Sequence, residues 1–140
     1  MNLRSIALAL GLGLASLSPA AAEDDATACA RTKVWEARQQ GWNLRGVQST
    51  TLTPGQLRAW PVATAPGLTY RFVSCAERGV VDLDLLLVDG NGEILDQQSG
   101  GREPTLSHAS DAARRVHLVL RSSRATDVEP RHAAVAILFR

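Results

Sequence analysis

The hydrophobic period of the chain changes once. From Asp24 to Gln40, small and apolar residues recur at helical spacing, with Ala26, Ala30, Val34 and Ala37 on one stripe. Ala28, Thr32 and Trp35 lie roughly opposite, and Cys29 falls between, so the pattern leaves open which stripe is buried. Asp24 or Asp25 can cap the start, where carboxylates also suit the positive end of the helix dipole. Gly41 follows where a left-handed stop is wanted. Beyond it, apolar and polar positions alternate in eight short runs: Val47–Leu52, Gln56–Val62, Leu68–Cys75, Val80–Val88, Glu93–Gln98, Thr105–His108, Arg115–Arg121 and Ala133–Arg140. Turn residues separate most of them, most clearly at Pro54-Gly55, Pro66-Gly67, Asp89 to Gly92 and Gly100-Gly101. Seven or eight strands at this spacing, with no internal repeat, predict a mainly β chain: an antiparallel β-sandwich with one N-terminal helix.

Strand periodicity then assigns a core. Leu68, Tyr70 and Phe72 share one side of their run, as do Val81, Leu83, Leu85 and Leu87. Val116, Leu118 and Leu120 form a third stripe, and Val135, Ile137 and Phe139 a fourth. Leu86, Val88, Val73 and Val119 add apolar groups to the opposite faces. Part of one sheet's outer face is therefore expected to be covered, with the helix as the element available to cover it.

The first 22 residues read as an export signal. Arg4 supplies the positive start, Ile6 to Leu17 the apolar run, and Ala20-Ala21-Ala22 the small-residue cleavage site, after which Glu23 opens an acidic stretch. The run is shorter than the roughly 20 residues of a membrane span, and no second run reaches that length. Cys29 sits behind three carboxylates, which does not suit lipidation. The expected organisation is thus a signal peptide over 1–22, an N-terminal helical segment over 23–45 and a β-sandwich over 46–140. The mature chain is expected in the periplasm or outside the cell, without a membrane span. In such an oxidising compartment Cys29 and Cys75, the only cysteines, are expected to form a disulfide. The loop it closes corresponds to roughly 4 kcal/mol in the chain-entropy model.

Composition narrows the functional classes. An apolar fraction of 45% with 21% charged residues suits one packed core rather than disorder. With 15 basic against 14 acidic residues, the chain has no electrostatic attraction for nucleic acid. Asp82 and Asp84 are two apart on one strand, so their carboxylates share a face. With Asp89 or Asp96 they are candidate calcium ligands, but a hard cation wanting six to eight oxygens is left short by so few. The reading preferred is that each pairs with a cross-strand arginine such as Arg71 or Arg121. An EF-hand counted from Asp89 would need Gly and Glu where Ile94 and Gly100 stand. His108, His117 and His132 share no metal-site spacing, and a hydrolytic group of Ser107, His108 and Asp111 rests on proximity in a polar stretch alone. Trp35, Trp42 and Trp60 suit anchoring of the helix and first strands better than a sugar-stacking platform. No catalytic residue, metal or cofactor is expected.

The stretch from Thr51 to Arg140 resembles the bacterial pre-peptidase C-terminal domain family. The resemblance is carried by Leu52 to Gln56, by Gly67 to Phe72, and above all by the run from Val81 to Val88 entering the turn Asp89, Gly90, Asn91, Gly92. Asp96 and Pro104, the strand Val116 to Leu120 and the terminal strand ending at Arg140 complete the order. Arg114-Arg115 stand where the family has a glycine–aromatic pair, and the module is expected to stand alone, without the peptidase such domains usually follow. The resemblance implies a jelly-roll sandwich and export. It also implies calcium in some members, through an acidic segment whose counterpart here would be Glu23-Asp24-Asp25. The expected function is a non-catalytic exported module binding a protein or envelope component. The alternative is an inhibitor or immunity protein acting on an envelope hydrolase.

Overall fold

The computed structural model describes residues 22–140, so the export segment read over 1–22 lies outside the described residues apart from Ala22. Helix α1 spans Asp25–Gln39. Asp24 caps it: its carboxylate accepts the Thr27 backbone N–H at 2.8 Å and the Thr27 hydroxyl at 2.9 Å. Gly41, at φ +88°, turns the chain out of the helix. Eight strands follow: β1 Asn43–Leu52, β2 Leu57–Thr64, β3 Thr69–Ala76, β4 Val80–Val88, β5 Ile94–Gln98, β6 Thr105–Ala109, β7 Arg114–Ala125 and β8 Arg131–Phe139.

Each alternating run is a strand. Two of them extend beyond their apolar alternation. β1 starts at Asn43 because a bulge between Leu44 and Gly46 interrupts its period. β7 runs on to Ala125 through polar residues held by ion pairs to β4.

The strands form two four-stranded antiparallel sheets, ordered β1-β8-β3-β6 and β2-β7-β4-β5, the arrangement of a jelly roll. Between them lies an apolar core built on Tyr70, Phe72, Leu83, Leu85, Leu87, Leu118, Leu120 and Val135. One core position differs from the strand-period reading. Val80, not Val81, is buried, because the β4–β7 register shifts on both sides of Asp82 and reverses the alternation upstream of it.

The helix stripe left open by the sequence is resolved in favour of Ala26, Ala30, Val34 and Ala37. These side chains lie on the outer face of the first sheet, against Val73, Cys75, Ala134, Ala136 and Leu138. Alanines on both sides let helix and strand approach closely, and the Cys29–Cys75 disulfide joins them with Cα atoms 6.1 Å apart. Cover by the helix is therefore realised for Val73 but not for Leu86, Val88 and Val119. Those three belong to the second sheet, whereas α1 packs chiefly on β8, β3 and β1.

Candidate functional site

The acidic pair on β4 is engaged by arginines. Asp84 stands opposite Arg121 and Asp82 opposite Arg124. Arg121 donates Nε and Nη2 to one Asp84 oxygen at 2.9 and 2.6 Å, while the Ser123 hydroxyl donates to the other at 3.0 Å. Arg124 Nε donates to Asp82 at 2.7 Å, and the second Asp82 oxygen accepts the Gly101 N–H at 3.0 Å. Arg71, the other arginine considered, lies on β3 in the opposite sheet and stacks on Trp42 instead. Among the described residues, the one group of three ligand-type side chains close enough to share an ion is Cys29, Cys75 and Glu103. Its two sulfurs are bonded to each other and offer no thiolate.

Burial by itself raises the Asp84 pKa. Hydrogen bonds from Arg121, Ser99 and Ser123, with the Arg121 charge, outweigh it and hold the carboxyl below its ordinary 3.8. A folded value below the unfolded one contributes stability above about pH 4, and this is lost as the pH falls through the lowered folded value. Asp84→Asn is expected to cost about 1–3 kcal/mol at neutral pH. The gap from wild type should narrow in acid, at a pH below the lowered folded value, where both side chains are neutral. Urea midpoints at the two pH values check this. A melting temperature unchanged between EDTA and millimolar calcium is expected in the same protein; a rise abolished by Asp82→Asn would instead place a cation at the pair.

The remaining polar candidates are dispersed. His108 sits on β6 of the first sheet, His117 on β7 of the second and His132 on β8. Ser107 and His108 are consecutive in β6, so their side chains leave opposite faces, and Asp111 is paired with Arg114 at 2.9 Å. The tryptophans lie on separate elements. Trp42 is 3% exposed, with the guanidinium carbons of Arg71 and Arg140 at 4.3 and 4.4 Å from its ring centroid. Trp60 packs against the core from β2. These two are anchors, as expected. Trp35 is 65% exposed because it lies off the buried stripe of α1.

The outward apolar positions that α1 does not cover lie on the outer face of the second sheet. Cross-strand register places Ala59, Val119 and Leu86 in one row and Pro61, His117, Val88 and Ile94 in the next. Leu57 stands beside Arg121 at the polar end. Leu57 and Ile94 are 56% and 53% exposed. The signal in the sequence was the unbroken run Leu85 to Val88, apolar on both faces of β4.

No protein-family model and no curated protein matches the chain. Solved structures do. One is the pre-peptidase C-terminal domain of a collagenase from Bacillus anthracis, 11% identical, with a TM-score of 0.51 over 67% of this chain and 89% of that one. Another is PliG of Aeromonas hydrophila, a periplasmic inhibitor of g-type lysozyme, 8% identical, with a TM-score of 0.49 over 68% of this chain and 85% of that one. The first likeness is one of fold: the chain is built as a sandwich similar to the collagenase's pre-peptidase C-terminal domain.

Proposed function

We propose that the protein is a non-catalytic module, exported to the periplasm or secreted, that binds a protein or another envelope component through the open face of its second sheet. The observation that carries this reading is the asymmetry of the sandwich. One outer face lies under α1, while the other leaves Leu57, Ala59, Pro61, Leu86, Val88, Val119 and Ile94 without a covering helix among the described residues. A contiguous apolar patch rimmed by charge, here Arg121 with Asp84 and Arg124 with Asp82, is the usual form of an interaction surface. The export reading draws on the leader pattern and the disulfide. The non-catalytic reading draws on the engagement of Asp82, Asp84 and Asp111 by arginines and on the separation of the histidines.

A photo-reactive side chain at Val119, irradiated with envelope extract, is expected to give a discrete adduct that Leu86→Asp abolishes. The same label at Trp35 should give none. Adducts of equal yield from both positions, or adducts indifferent to Leu86→Asp, would remove the open face from consideration. Inhibition of a lysozyme-type hydrolase by stoichiometric protein, relieved by Leu86→Asp, would assign the partner as an enzyme and the module as its inhibitor.

A further inference from the structure

We propose that a second site, the cleft at Arg45, binds a small apolar molecule or chain end carrying one carboxylate. The cleft lies where β1, β3 and β8 meet the end of β2. It is an open cleft of about 380 Å³, lined by Arg45, Ala63, Thr64, Ala65, Leu68, Tyr70 and Phe139. That volume is at the small end of the range of ligand clefts, roughly 300–1,000 Å³. It shares no residue with the open sheet face, so the two sites stand or fall separately.

The walls are largely hydrocarbon and aromatic, and no lining residue is acidic. The polar groups are unbalanced towards donors. The Thr64 hydroxyl is committed to backbone, 3.3 Å from the Ala112 carbonyl oxygen and 3.2 Å from that of Arg114. Tyr70 is 2% exposed, and its hydroxyl accepts the Ala65 N–H at 2.8 Å. No hydrogen bond among the described residues uses its proton. Arg45 donates one N–H to the Ala63 carbonyl, and a guanidinium has five N–H donors. None of the ion pairs among the described residues includes Arg45.

Arg45 is there because of the backbone. It is the extra residue of the bulge between Leu44 and Gly46, and bulges of this kind redirect a side chain. A buried phenolic proton and a guanidinium beside apolar walls call for an acceptor on an apolar body. A cation would meet no carboxylate in the lining, and a hydrocarbon would leave the Tyr70 proton unpaired and the exposed Arg45 to water. A carboxylate answers both, with charge-assisted hydrogen bonds from Arg45.

The test is a titration of the disulfide-bonded protein followed by amide NMR. Octanoate is expected to give saturable shifts at Arg45, Ala63, Ala65, Tyr70 and Phe139. Octanol, with the same tail and no charge, should bind at least tenfold more weakly. Arg45→Met should bring octanoate to the level of octanol, Arg45→Lys should keep the preference, and Tyr70→Phe should weaken octanoate several-fold, with a lower melting temperature because the Ala65 N–H loses its acceptor. A short apolar peptide with a free C-terminus, set against its amide, distinguishes a chain end from a fatty acid as the source of the carboxylate. Tighter binding of the free peptide than of octanoate assigns the chain end, and the reverse order assigns the fatty acid. No saturable shift with either carboxylate, equal affinity for octanoate and octanol, or octanoate binding indifferent to Arg45→Met would overturn the assignment.

Discussion

Leu85→Ala is expected to lower the free energy of unfolding by about 2–5 kcal/mol, the range for emptying a buried leucine site. Leu85 is fully buried in β4, held between Gln98 of β5 and Leu120 of β7 and facing the side chains of the other sheet. Two hydrogen-bonded neighbours fix its backbone, so the surrounding sheet cannot collapse into the space. Against a total stability of about 5–15 kcal/mol, such a loss removes a large share. Leu86→Ala, one residue on and half-buried on the outer face, should cost under about 1 kcal/mol. The bulge supplies a second comparison: Val80→Ala should cost more than Val81→Ala, the reverse of what uninterrupted alternation predicts. Equilibrium urea unfolding at constant m-value checks all four. A loss below 1 kcal/mol for Leu85→Ala would mean that β4 presents its other face to the core.

The second large effect concerns the staple. Replacing both Cys29 and Cys75 by serine is expected to cost about 4 kcal/mol by loop entropy. The site magnifies the consequence. The N-terminal half of α1 meets the sheet through Ala26 and Ala30 on Ala134, side chains that bury little area, and through an exposed Thr27–Ser49 hydroxyl contact, so the covalent bond is the strongest restraint there. The double variant should show α1 becoming protease-sensitive at lower urea than the sandwich. Thiol labelling of the denatured, unreduced wild type should find no free thiol, and two labelled thiols would sink the assignment. The variant is a better probe than reduction of the folded protein. Cys75 is fully buried, and Glu103 places a carboxylate oxygen 2.9 Å from Cys29 Sγ, where it repels an approaching thiolate.

The strands and most of the core were legible in the sequence because turn residues separate the runs and one face of each run is strongly apolar. The bulge at Asp82 was not, since an inserted residue changes register without altering local composition. Which sheet α1 covers was also hidden. Val73 and Leu86 look alike in a strand, and only the long-range pairing of β3 with β8 and of β4 with β7 separates them. The arginine partners of Asp84 and Asp82 depended on the same register, which is why Arg121 was foreseen among alternatives and Arg124 was not. The Arg45 cleft gathers residues from β1, β2, β3 and β8 and the turn after β2, so no window of sequence contains it.

The strand order also sets when the protein can fold. β8 lies between β1 and β3, and β7 between β2 and β4, so one of the two central strands of each sheet comes from the last two strands of the chain. During synthesis, until residues beyond 114 have emerged, β1 and β2 have no in-sheet neighbour, and the only sheet pairings open to the nascent chain are β3 with β6 and β4 with β5. Closing the first sheet then requires Asn43 to find Phe139. Pairings of such sequence separation are slow to form, which leaves the newly made polypeptide extended for longer. For export as proposed, this order of pairing would favour passage through a channel before the sheets close.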